Sequence, residues 1–201
     1  MLELRQVTAG YGSTTVLRGV DLVVPDGAVV ALLGANGAGK TTLLRVASGL
    51  LPIRKGSLLI DGAPFERPTP HDLKRSGVCH VPEGRGIWRS LTVREHLTLF
   101  AESGGENGAI ERAVEAFPKL GQRLNQLAGT MSGGEQQMLA LARAYVQNPR
   151  TVLLDEVSLG LAPAIIDDIF DFLQRLAADG ASLLIVEQYV QRALAIAEYV
   201  Y

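Results

Sequence analysis

Apolar positions along the chain fall into two patterns, each predicting a different kind of strand. Leu2 and Leu4, then Val20, Leu22 and Val24, alternate with polar neighbours, as strands with one wet face do. A second pair is expected around Gly56-Ser57-Leu58-Leu59-Ile60-Asp61-Gly62, where turn glycines bound an apolar run. Residues 29–33, 78–81, 151–154 and 182–186 are apolar runs instead, fitting strands buried on both faces of a parallel sheet. The last three lead into loops with polar residues at their carboxyl ends, the edge where ligands sit in open parallel sheets. Residues 41–48 read as a helix stopped by Gly49. Between Pro82 and Gln137 the period changes. Residues 93–101 and 110–117 read as amphipathic helices, and Ser103-Gly104-Gly105-Glu106-Asn107-Gly108 as a flexible break between them. The expected fold is α/β, one domain over 1–201. Residues 1–82 and 138–201 form a parallel-sheet core with an N-terminal antiparallel β subdomain, and 83–137 form an inserted α-helical subdomain.

Composition narrows the setting. The chain has 201 residues and a net charge of −2, from 19 basic and 21 acidic side chains. No Lys/Arg stripe is present, which argues against a nucleic-acid partner. Cys79 is the single cysteine, so internal disulfides are excluded and a reducing compartment is expected. The chain does not open on a charged-then-apolar leader, so export is not expected. Apolar runs are broken by Pro25, Asp26, Gly34 or Glu187, short of the roughly 18 residues of a spanning helix. The mean hydropathy of +0.19 is then attributed to a buried sheet, and any membrane contact to another protein.

Gly34-Ala35-Asn36-Gly37-Ala38-Gly39-Lys40-Thr41 changes the picture most. Glycines permit backbone conformations that turn successive N–H groups toward an anion. Lys40 supplies a point charge for β- and γ-phosphates, and the Thr41 hydroxyl can ligate Mg²⁺. A strand precedes the loop and a helix follows it, so the phosphate would meet a helix N-terminus. Nucleotide binding is the expectation.

Thr151-Val152-Leu153-Leu154-Asp155-Glu156 is an apolar strand ending in two carboxylates. Alone it could be a solvated acidic turn. Downstream of a phosphate loop, Asp155 is placed to bind Mg²⁺ directly or through water, and Glu156 to take a proton from an attacking water. Phosphoryl transfer rests mainly on such positioning and charge stabilisation. In Met131-Ser132-Gly133-Gly134-Glu135-Gln136-Gln137, Ser132 and Glu135 have capping-box spacing. Capping alone does not require two glycines, and a Ser-Gly-Gly helix start can also hold phosphate oxygens.

The order of phosphate loop, SGGE-Q-Q and LLLDE resembles the ATP-binding subunits of ABC transporters across essentially the whole chain. Val81-Pro82-Glu83-Gly84-Arg85, Leu91-Thr92-Val93, Ala128 to Leu139, Ser158-Leu159-Gly160-Leu161-Ala162-Pro163 and Val186-Glu187-Gln188 are similar to the branched-chain amino-acid importer ATPases. The resemblance implies a P-loop NTPase (RecA-like) core that binds ATP and Mg²⁺. It implies that Gly34, Ala35, Asn36, Gly37, Ala38, Gly39, Lys40, Thr41 and Thr42 hold the phosphates and metal. Tyr11 falls where a ring stacks on adenine, with Val16 beside it; otherwise Tyr11 is an ordinary strand-edge residue. Ser132, Gly133, Gly134 and Glu135 would reach the γ-phosphate on a second ATPase subunit, head to tail, identical or related, with 158–161 lining that interface. Glu83 stands where a glutamine usually senses the metal and attacking water. Gln188 stands where a histidine usually meets the γ-phosphate. Val157 replaces a usual proline, which frees an N–H and is expected to relax the turn after Glu156.

The implied protein is an ATP-hydrolysing subunit held at the inner face of the membrane by separate permease subunits. It would serve, indirectly, an extracytoplasmic solute-binding protein. Glu83 to Trp88 and the helical subdomain would form the permease contact. Relatives continue beyond the final Glu198-Tyr199-Val200-Tyr201 with further strands, so a shortened C-terminal part is expected. A non-transport ABC ATPase and a nucleotide switch with weak turnover are the alternatives. His71, His80 and His96 share no metal-ligand spacing with one another or with Cys79, and Cys79 reads as a buried thiol.

Overall fold

The early alternation becomes a hairpin. The computed structural model describes residues 1–84, 86–101 and 105–201; Arg85, Ser103 and Gly104, named above, lie outside the described residues. β1 (Leu2–Tyr11) and β2 (Thr14–Val24) pair antiparallel, with Leu2 opposite Val24 and Leu4 opposite Leu22. β3 (Val29–Leu32) and α1 (Lys40–Ala47) follow, then β4 (Lys55–Ile60) and β5 (Ala63–Phe65). The antiparallel sheet runs β2-β1-β4-β5.

After α2 (Pro70–Arg75) and β6 (Val78–Val81) comes the helical part: α3 (Val93–Phe100), α4 (Glu106–Ala116), α5 (Pro118–Gly121) and α6 (Gly133–Val146). The chain then returns through β7 (Thr151–Asp155), α7 (Pro163–Ala178), β8 (Ser182–Val186), α8 (Val190–Ile196) and β9 (Tyr199–Val200). The second sheet runs β6-β7-β8-β3-β9, with parallel pairing throughout.

Its apolar runs have a simple cause. In β8, Leu184 and Val186 face one buried cluster with Leu44 and Leu58, while Leu183 and Ile185 face another with Leu139 and Phe172. Both faces of the strand are dry, so no polar alternation survives. Phe172 of α7 also ties the helical part to the core: its ring centroid is 4.6 Å from that of Phe117 and 5.7 Å from that of Tyr145.

Two expectations change. Glu106, Asn107 and Gly108 are the first turn of α4, not a break. Burial of Ala109, Ile110 and Ala113 outweighs the poor helix propensity of asparagine and glycine. The expected boundary at 137/138 falls inside α6, which crosses it unbroken. Gly49 does stop α1. With φ 72 it lets its own N–H reach Val46 O at 3.0 Å and Leu50 N–H reach Arg45 O at 2.8 Å, satisfying the last carbonyls of the helix.

Candidate nucleotide site

Parallel pairing brings the carboxyl ends of β3, β6, β7 and β8 to one edge, and their loops enclose an open cleft of about 510 Å³. Val16, Asn36, Gly37, Gly39, Lys40, Thr41, Thr42, Glu83, Glu156, Leu159 and Gln188 line it. Gly39, the residue before α1, has φ 98, and no side chain caps that helix start. The first N–H groups of α1 are thus available to an anion. A Cβ on Gly39 would also stand 3.1 Å from Val16 Cγ1, so glycine serves both conformation and packing there.

Lys40 Nζ donates to Gly34 O at 2.8 Å and Ala35 O at 3.1 Å, which closes the loop on itself. Thr41 Oγ1 donates to Asp155 Oδ1 at 3.2 Å, linking α1 to the end of β7. Asp155 is buried, and burial pushes its carboxyl above the usual range. Thr41 opposes this, while the charges of Glu156 and Glu83 add to it. The Thr41 hydroxyl and the Asp155 carboxylate are hard oxygen donors of the kind a magnesium ion takes. Thr41 and Asp155 are the pair that would hold such an ion, and Glu83 also lines the cleft.

Glu156 has a left-handed backbone, φ 47, which swings its side chain out of the strand. Its N–H donates to Val186 O at 2.9 Å and its carbonyl accepts from Leu159 N–H at 3.2 Å. Val157, which follows Glu156, is buried in the core. Gln188 Nε2 donates to Glu156 Oε2 at 3.0 Å. Just before it, buried Glu187 accepts from Ser158 N–H at 3.1 Å and from the Ser158 hydroxyl. From the sequence, Glu187 takes no role beyond its place in the Val186-Glu187-Gln188 stretch, although a carboxylate ending a dry strand is a signal in itself.

Other sequence-chosen residues lie elsewhere. Tyr11 is not among the cleft-lining residues; its hydroxyl accepts from Arg45 Nη1 at 3.0 Å. Gly34, Ala35 and Ala38 shape the loop without lining the cleft. Ser132, Gly133, Gly134 and Glu135 form the start of α6, also outside it, as a capping box. Among the described residues, no cluster of three or more His, Cys, Asp or Glu could hold a metal alone. His96 accepts from Trp88 N–H through Nε2 at 2.9 Å, so its Nδ1–H faces Thr92 O at 2.9 Å. Burial, with Arg45 and Arg143 adding, brings His80 down to about 4. Burial pushes the Cys79 thiol up to about 11. Among the described residues, no helix is long and apolar enough to cross a membrane.

Comparison with known proteins agrees with this geometry. Residues 17–158 match the ABC transporter family. The chain is 40% identical to the high-affinity branched-chain amino acid transport ATP-binding protein BraG of Pseudomonas aeruginosa, covering 100% of this chain and 88% of that one. It is 35% identical to the probable branched-chain amino acid transport ATP-binding protein LivF of Archaeoglobus fulgidus, covering 100% and 87%. A nucleotide-free ATP-binding cassette from an ABC transporter superposes with a TM-score of 0.88 at 26% identity, over 100% of this chain and 86% of that one. A dimeric bacterial ABC transporter cassette gives 0.85 at 27%, over 100% and 93%. The chain therefore belongs to the ABC transporter family as an ATP-binding cassette with the P-loop ATPase fold, and within it resembles the branched-chain amino-acid transport ATPases.

Proposed function

We propose that this chain is the ATP-hydrolysing subunit of an importer for branched-chain or related amino acids. The observation that carries the reading is the meeting of Lys40, Thr41, Glu156 and Gln188 around one cleft, with buried Asp155 hydrogen-bonded to Thr41 just behind it. The nucleotide phosphates would lie against the loop 34–42, with the α1 N–H groups and Lys40 balancing their charge. Magnesium held by Thr41 and Asp155 would neutralise phosphate charge. Glu156 would take the proton of the attacking water while Gln188 fixes the carboxylate. Gln188 can donate a hydrogen bond but carries no charge, so its role is orientation.

A second ATPase subunit, identical or related, would present Ser132 to Glu135 to the γ-phosphate. The dimeric cassette among the similar structures supports that arrangement. Permease subunits would dock near 83–88, Arg85 lying outside the described residues; there Trp88 is half exposed and stacks on Phe100 at 5.8 Å. The subunit would sit at the inner membrane face, with a solute-binding protein acting on the other side. The similarity to BraG and LivF supports amino acids as cargo.

The test is phosphate release and labelled solute uptake by the chain reassembled with permease subunits, with and without Glu156→Gln. Glu156-dependent hydrolysis that drives leucine uptake is expected. Hydrolysis indifferent to Glu156 would remove the base, and uptake of sugars alone would remove the cargo.

A further inference from the structure

α6 begins with a contradiction. A helix start assigned above to a phosphate carries a carboxylate in its first turn, and two anions there would repel. The contacts of that carboxylate show how the charge is managed. Glu135 Oε2 accepts from Ser132 N–H and from Ser132 Oγ, each at 2.9 Å, and Glu135 N–H donates back to Ser132 Oγ at 3.3 Å. Its other oxygen, Oε1, lies 2.7 Å from Arg123 Nε. Arg123 is itself braced, donating from Nη1 to Gln126 Oε1 at 2.9 Å, and Gln126 Nε2 donates to Thr130 Oγ1 at 3.0 Å.

The chain contains its own control. Two further helices begin with the same box, Thr69 with Asp72 on α2 and Thr92 with Glu95 on α3. Among the described residues neither of those carboxylates has an arginine ion pair, and capping does not require one. Glu135 differs in being mostly buried as well as paired. Burial would raise its carboxyl, yet the Ser132 hydrogen bonds outweigh this, with the charges of Arg123 and then Lys119 adding, and hold it below the usual range.

We propose that Arg123 is a positioning residue of the ATPase reaction: by pairing with Glu135 it cancels the carboxylate charge at the start of α6, so that Ser132 and the N–H groups there can bind the terminal phosphate of a nucleotide held by a second copy of this chain. The inference rests on the reading that this helix start faces such a nucleotide. When the phosphate draws the Ser132 hydroxyl away, the Glu135 carboxylate keeps Arg123 as its partner and stays turned aside.

The experiment is a double-mutant cycle on the full chain stalled by Glu156→Gln, with ATP and magnesium, scored by sedimentation as ATP-driven self-association. Arg123→Gln is expected to weaken association about tenfold at low salt, and less at high salt, where the exposed charge is screened. In a Glu135→Gln background the same change should cost less than about twofold, because there is no carboxylate to cancel. Arg123→Lys, which keeps the charge, should restore most of the association. Equal losses from Arg123→Gln in both backgrounds would mean that Arg123 only braces the loop through Gln126, and the proposal would fall. Ser132→Arg separates the two layers. Association that ignores this change, or no ATP-driven association at all, removes the underlying reading. Association abolished by it, together with an additive cycle, removes only the role of Arg123.

Discussion

Gln188 donates its side-chain amide to Glu156 Oε2 at 3.0 Å, joining the loop after β8 to the carboxylate at the end of β7. A base that must meet one water in one direction gains from such a restraint. Glu156→Gln should reduce ATP turnover by about 100-fold or more, the usual loss for a general base. Gln188→Ala removes one hydrogen bond and should cost about tenfold in kcat with little change in KM. Steady-state phosphate release measures both. A larger loss from Gln188→Ala than from Glu156→Gln would reverse the assigned roles.

The backbone of Glu156 makes a separate prediction. Its φ of 47 is unfavourable by about 1 kcal/mol or more for a residue with a Cβ. Glu156→Gly should therefore be more stable than Glu156→Ala by about 1 kcal/mol, whatever either does to turnover. Urea unfolding of the two variants decides it, and equal midpoints would show that the turn carries no strain.

What was readable in the sequence follows from how local each signal is. The phosphate loop depends on glycine spacing within a few residues, and the dry strands β7 and β8 on unbroken apolar runs, so both stood out. Pairings between distant segments left no such trace. Nothing in the order of residues joins Tyr11 to Arg45, Ser158 to Glu187, or Arg123 to Glu135. The expected break failed at 106–108 for the opposite reason. Local propensity was legible there, but burial along α4 overrode it from Glu106 onward.

Cys79 offers a check on the core that does not depend on catalysis. Burial in β6 pushes its thiol up to about 11, and the thiolate is the reactive form. At mildly alkaline pH the native chain should react with a thiol reagent about 100-fold more slowly than the urea-unfolded chain. Release of coloured thiolate from an aromatic disulfide reagent reports the rate. Similar rates in both states would place Cys79 at the surface.

Glu187 gives the pH dependence. Burial raises its carboxyl above the usual range, the Ser158 hydrogen bonds oppose this, and the Glu156 charge raises it further. The folded state therefore holds this proton more tightly than the unfolded chain, whose glutamates titrate near about 4.3. Its contribution to stability is fully present below that value and is lost as pH rises through the folded pKa. Asp155 is shifted in the same direction and adds to the trend. Glutamine at 187 can accept from Ser158 N–H through Oε1 and donate to Ser158 Oγ without carrying a charge. Glu187→Gln should thus be more stabilising at pH 7.5 than at pH 4.5, and should flatten the fall in stability between them, to which one group can contribute at most about 1.4 kcal/mol per pH unit. Urea unfolding of the nucleotide-free chain across that range measures it. A variant whose benefit is greater in acid would mean that Glu187 is ionised and well served by Ser158, reversing the sign argued from its burial.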